Sequence, residues 1–179
     1  METFGPMRPL QADADFAQRR RLALAGLEPG ALDPEMRGPV AGLNRLRHCF
    51  TLQSCQGHIL VPGQGPPAGW ERRPVEPPPA RALYQLAYLA LVVRNGRAGG
   101  DLLGDLAALA AGEAEFMQLG CADWFWREQG QVNSYVVQVA PRRRQGLDWF
   151  EMDRAEAGAW LRARGRFLAG LAGLAAAEA

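Results

Sequence analysis

The sequence predicts an α+β fold: a mixed, mainly antiparallel sheet packed with helices and closed by a long C-terminal helix. Three observations carry that expectation. Helical and strand-like patterns are interspersed without the regular alternation of a parallel α/β protein. Gln131 to Ala140 alternates well, with Tyr135, Val137 and Val139 on one side, and follows a Gln129-Gly130 turn. Asp153 to Ala177 is a proline-free stretch rich in Ala, Leu and Arg, all good helix formers.

In chain order, Ala12 to Leu27 reads as a first helix, with Phe16, Leu22, Leu24 and Leu27 recurring and Glu28-Pro29-Gly30 as its stop. Asp33-Pro34-Glu35 has the form of a helix start: an acceptor side chain, a proline in the first turn and an acid near the positive helix end. Met36, Val40, Leu43 and Leu46 continue that helix to about Arg47. His48 to Val61 reads as two short strands joined by a turn at Ser54-Cys55-Gln56-Gly57. Residues 62–80 hold seven of the chain's 13 prolines, so they form a long loop, with Trp70 and its neighbours Arg72 and Arg73 able to cover a site.

Leu83, Leu86, Ala87, Ala90 and Leu91 fit the face of a third helix, and a fourth begins at Asp101 and ends at Gly112. Ala122 to Glu128 and Gln131 to Ala140 then make a hairpin. Trp149-Phe150 is a short final strand, and the closing helix covers 153–177 with Trp160, Leu161, Phe167, Leu168, Leu171 and Leu174 inward. No internal repeat is present.

Composition bounds the function. The chain has 179 residues, 48% of them hydrophobic, which suits a single domain spanning 1–179 with a real core. Twenty basic and 19 acidic residues leave a net charge of +1, so no whole-chain field draws it to nucleic acid or membrane. Three cysteines are too few, and odd in number, for a disulfide framework. There is neither an apolar run of about 18 residues nor a signal core in Met1 to Leu10. A cytoplasmic protein without a membrane partner is therefore expected. Every basic residue is arginine, which excludes Schiff-base or general-base lysine chemistry.

The chemistry-bearing residues concentrate in Ser54-Cys55-Gln56-Gly57-His58. Gly57 permits positive φ and a close approach to the main chain. A tight turn there would aim the amides of Ser54, Gln56 and Gly57 at an anionic group, with Cys55 and His58 as the catalytic candidates. The plainer alternative is a hairpin turn whose polar groups satisfy their own backbone. His48, Cys49, Cys55 and His58 have zinc-type donors, but neighbours on a strand point to opposite faces, so no metal is expected. Asn133, Ser134 and Tyr135, on an otherwise apolar strand, are candidate substrate contacts together with Trp70. Trp124 and Trp126 either fill a sheet face or stack a planar base. Arg19 to Arg21 and Arg142 to Arg144 read as solvated faces or phosphate contacts.

The order of these features resembles the wybutosine-synthesising methyltransferase family. The resemblance runs from the first helix, through Asp33 opening a helix that reaches Leu43-Asn44, to Phe50-Thr51-Leu52-Gln53-Ser54-Cys55-Gln56-Gly57-His58-Ile59. The family's signature there is a Thr-rich strand ending in Ser-Ser-Cys-Ser-Gly-Arg, with Gln53 and His58 standing here for its first serine and its arginine. Phe125-Trp126-Arg127 followed by Val132 to Val139 resembles its later hairpin. The match covers roughly 15–61 and 122–140. It implies a methyltransferase using S-adenosylmethionine as cofactor on a modified tRNA base or a similar planar substrate. Ser54, Gln56 and Gly57 would then bind the cofactor, Asn133, Ser134 and Tyr135 would hold the acceptor, and His58 would remove its proton. The alternatives are a non-catalytic nucleotide- or RNA-binding module of the same fold, and a protein that self-associates through its Ala/Leu-rich closing helix.

Overall fold

A computed structural model describes residues 4–63, 80–140 and 149–177. The candidate Trp70 and the Arg142 to Arg144 cluster lie outside the described residues, as does most of the Pro-rich segment. The architecture is α+β. Its sheet runs β1 (Phe4–Gly5), β4 (Met117–Ala122), β5 (Ser134–Val139), β3 (Arg81–Val93), β2 (Cys49–Leu60), every pairing antiparallel. β6 (Trp149–Asp153) pairs with Arg81 to Gln85 of β3, so it continues the line of β5 beyond that strand's end. The helices are α1 (Phe16–Ala25), α2 (Arg37–Arg45), α3 (Arg97–Ala111), the short α4 (Asp123–Arg127) and α5 (Arg154–Ala177).

Pleating sorts the central strands between two cores, because successive side chains leave opposite faces. Leu89, Leu91 and Val93 of β3, with Tyr135, Val137 and Val139 of β5, join the main core under α2, α3 and α5. Ala90, Val92 and Val136 face the other way, toward Phe16 of α1, Phe50 and Ala122. α5 lays Trp160, Ala163, Phe167 and Leu171, all fully buried, onto the main core. Leu161, by contrast, is exposed, contrary to the inward position expected of it.

α2 and α5 approach closely: a Cβ on Gly42 would stand 2.3 Å from the Cβ of Ala175. The small residues of α5 expected to serve self-association thus pack, at Ala175, within the chain itself.

Three sequence expectations are overturned. Residues 81–93 form a strand, not a helix. The run is rich in Ala and Leu and fits helical spacing, but it is flanked by partner strands on both edges and buried on both faces, and tertiary pairing overrides propensity. The stretch Ala122 to Glu128 is not the hairpin partner of β5. That partner is β4, and the residues after it turn into α4, where Asp123 in the first turn pairs with Arg127 one turn on, at 3.1 Å.

Third, no turn interrupts residues 49–60. They run as one strand, paired with β3 from Cys49↔Val93 to Leu60↔Leu83, with a bulge between Thr51 and Gln53. Gly57 takes φ +78° without reversing the chain.

Candidate functional site

β2 is an edge strand, and its outward main-chain groups need partners. Side chains provide them. Asn44 Oδ1 accepts the Thr51 N–H at 2.8 Å while its Nδ2 donates to Thr51 Oγ1 at 2.9 Å. Arg20 donates to the carbonyls of Cys49, Asn44 and Leu46. Asp33 Oδ2 accepts the Gln56 N–H at 2.8 Å, and Arg164 Nε of α5 donates to the Gln56 carbonyl at 2.6 Å. Arg164 also pairs with Glu35, so α5 and the turn at Pro34–Met36 are both fastened to this edge.

Asp33 was read as a helix cap. It makes no side-chain capping bond. It turns to β2 instead, and there it meets Cys55 and His58: one donor atom from each residue lies within 4.8 Å of the other two. Asp33 Oδ1 stands 3.6 Å from His58 Nε2. The hydrogen bond with His58 holds the Asp33 carboxyl below its ordinary value, against the opposing effect of burial. Cys55 is 8% exposed. Its burial, reinforced by the neighbouring Asp33 carboxylate, pushes the thiol up to about 12, while the Gly57 N–H, 3.4 Å from Sγ, pulls the other way.

Beneath this cluster, fully buried Tyr84 accepts the Ala87 N–H at 2.6 Å and donates to the Val139 carbonyl at 3.0 Å. Desolvation there raises its phenol well above the usual value.

The anion cradle expected at 54–57 is not formed. Its residues lie in a strand, the Gln56 amide is taken by Asp33, and the Gly57 amide faces Cys55 Sγ. Nor does the cluster share a hollow with Asn133, Ser134 and Tyr135. Cys55 pairs through Tyr88 with Gln138, whereas Ser134 pairs through Val92 with Phe50, four residues along β3 and β5 and roughly 13 Å up the strands.

The polar atoms of those three residues serve the fold. Asn133 exchanges two 2.8 Å bonds with the main chain of Gln11, Ser134 Oγ donates to the Ala122 carbonyl, and Tyr135 donates to that of Arg8. Asn133 and Tyr135 tie the N-terminal segment to the sheet, where Arg8 also covers the ring of Trp126, and Ser134 ties β5 to β4. Asp33 is the member of the cluster that no sequence motif marks. Only a contact across 22 residues of sequence reveals it, and Asp-Pro-Glu gave a sufficient local reason for an acid there.

All three cysteines are buried thiols outside any disulfide, and burial raises the Cys121 thiol as well as that of Cys55. The native protein is therefore expected to resist iodoacetamide at pH 8 at all three sites, and to take up three equivalents once unfolded. Mass spectrometry reads the outcome. Rapid labelling of Cys55 in the native state would show that its burial is wrong.

No family model matches the sequence, and no curated protein does. Among solved structures, the chain is similar to the PH1069 protein from Pyrococcus horikoshii, with 13% identity, a TM-score of 0.49, and 90% of this chain and 94% of that one covered. It is also similar to a hypothetical protein from Aeropyrum pernix, with 15% identity, a TM-score of 0.38, and 80% of this chain and 95% of that one covered.

Proposed function

We propose that the chain is an S-adenosylmethionine-dependent methyltransferase-like protein acting on a modified tRNA base or a similar planar substrate, centred on the edge of β2 at Asp33, Cys55 and His58. The observation that supports this reading is convergence. Residues that carry the family resemblance, spread from 33 to 58, meet on one strand edge: Asn44 clamps Thr51, and Asp33 reaches Gln56, Cys55 and His58.

Methyl transfer from a sulfonium depends mainly on holding donor and acceptor in line, not on a strong acid or a nucleophilic side chain. A buried thiol that stays protonated at neutral pH is compatible with that demand, though not with thiolate catalysis. Asp33 offers an acceptor, and His58 a ring nitrogen, to the polar rim of a flat ligand.

The test is isothermal titration with S-adenosylmethionine up to millimolar ligand, followed by transfer of labelled methyl groups to bulk tRNA. Heat of binding with methyl incorporation is expected. No heat at all removes the reading as stated. Salt-dependent binding of tRNA without any methyl transfer would leave the non-catalytic RNA-binding alternative.

A further inference from the structure

We infer that Asp33, Cys55 and His58 form a binding site for a zinc-type divalent cation, with Asp33 Oδ1, Cys55 Sγ and a His58 ring nitrogen as its protein ligands. The three donors are those that zinc accepts: carboxylate oxygen, thiolate sulfur and imidazole nitrogen. A tetrahedral ion bonded at about 2.0–2.3 Å brings its ligand atoms to roughly 3.3–3.8 Å from one another. Asp33 Oδ1 and His58 Nε2 are already 3.6 Å apart, and all three donors lie within 4.8 Å. Small side-chain rotations close the remaining gap.

The surroundings are those of ligands held from behind. The second oxygen of Asp33 is fixed by the Gln56 N–H at 2.8 Å, which orients the first. The Gly57 N–H lies 3.4 Å from Cys55 Sγ, a contact that steadies a metal-bound thiolate. Outer contacts of this kind set ligand orientation and affinity.

Charge also balances. The ion displaces the Cys55 proton to solvent on binding, and the resulting thiolate and the Asp33 carboxylate neutralise the dication, which makes its half-buried position tolerable. Arg164, a cation close to Cys55, is paired with Glu35 and bonded to the Gln56 carbonyl.

The anchoring is robust, because each ligand stands on an element fixed elsewhere. Cys55 and His58 sit in register on β2 opposite Tyr88 and Gln85. Asp33 leads the turn at Pro34–Met36, whose Met36 is fully buried in the core. Three protein ligands leave a further coordination position for water or an oxygen or nitrogen of a bound molecule. With the ion in place, His58 acts as a ligand and not as the proton acceptor expected from the sequence. The site stands on its own geometry and does not depend on methyl transfer: zinc binding in a protein that ignores S-adenosylmethionine would leave it intact.

The experiment titrates the full chain, stripped with chelator and reduced, with Co(II) as spectroscopic probe and then displaces it with Zn(II). An equimolar endpoint is expected, with thiolate-to-cobalt charge transfer in the near ultraviolet and the intense visible bands of tetrahedral cobalt. Cys55→Ser should lose the charge-transfer band. Asp33→Asn and His58→Gln should keep it while weakening zinc at least about tenfold, the usual size of a lost or misoriented ligand.

Absence of the band in folded wild type, or its survival in Cys55→Ser, overturns the site. Should Cys55→Ser fail to fold by circular dichroism, X-ray absorption of the zinc-loaded wild type decides. One sulfur beside nitrogen and oxygen donors supports the assignment, and a shell with no sulfur, or with several, overturns it.

Discussion

Gly57→Val is expected to destabilise the protein by about 2–5 kcal/mol, enough to unfold much of it at moderate temperature. Two costs combine. At φ +78° a side chain enters a region that costs roughly 1–2 kcal/mol for an L-residue, and more for a β-branched one. A Cβ there would also stand 2.7 Å from the Cβ of Ala87, 3.1 Å from its main-chain nitrogen and 3.1 Å from the Tyr84 hydroxyl. Tyr84 cannot move aside without breaking its bonds to Ala87 and Val139. Overpacking of this kind adds about 1–3 kcal/mol.

Against a total stability of about 5–15 kcal/mol, the loss is large. It is read from the urea midpoint, which should fall by roughly 1–2 M for a slope of about 2 kcal/mol/M. The sequence alone leads to a different expectation, a variant that loses ligand binding but keeps its secondary structure, because it takes Gly57 for part of a tight turn lining a ligand site. A midpoint unchanged from wild type would mean that residue 57 does not lie under Tyr84.

Trp160→Ala is expected to cost about 3–5 kcal/mol, the range for removing a large buried aromatic. Trp160 is fully buried, its ring lies against Tyr84, and its Nε1 donates to the Val139 carbonyl at 3.3 Å. Volume dominates over the hydrogen bond. Val139 keeps the Tyr84 hydroxyl as a donor when the indole is gone, so the lost bond leaves no unsatisfied carbonyl and contributes at most about 1 kcal/mol. Trp160→Phe should accordingly retain more than half of the lost stability. Thermal and urea unfolding of the two variants check the ordering. An alanine variant as stable as the phenylalanine one would show that α5 does not seal the core there.

Both substitutions act at one place, where β5 ends, β6 takes over along β3, and Tyr84, Trp160 and Gly57 meet beneath the polar cluster. The cluster is thus seated directly on the core. The same packing buries Cys55. Because the folded thiol is pushed up to about 12 from an ordinary 9.0, the folded form keeps its proton where the unfolded chain has lost it. That contribution to stability is complete below pH 9 and is lost as pH rises toward 12.

Some of this was legible in the linear chain. The closing helix was, because Trp160, Phe167 and Leu171 recur at helical spacing in a run free of proline. The alternation of Tyr135, Val137 and Val139 named the core face of β5 correctly, since a period of two has one structural meaning. β6 and the second helix were also found. The third strand was not: Leu83 to Leu91 satisfies helical and strand patterns equally, and only two flanking partners decide between them. Cys55, Gly57 and His58 were singled out for their chemistry, but their setting was misread. A glycine with positive φ looks the same in sequence whether it reverses the chain or kinks a continuous strand.

What the amino-acid order determined by itself is local: where side chains alternate or recur, where proline and glycine end an element, and which residues carry reactive atoms. What the tertiary structure alone decided is adjacency across long separations. It set Asp33 against Cys55 and His58, gave the Gln56 main chain to Asp33 and Arg164, and assigned Asn133 and Tyr135 to the N-terminal segment and Ser134 to β4. The physical reason is that an edge strand's main-chain groups must find partners, and which side chains reach them depends on how helices 20 and 100 residues away in sequence pack onto the sheet.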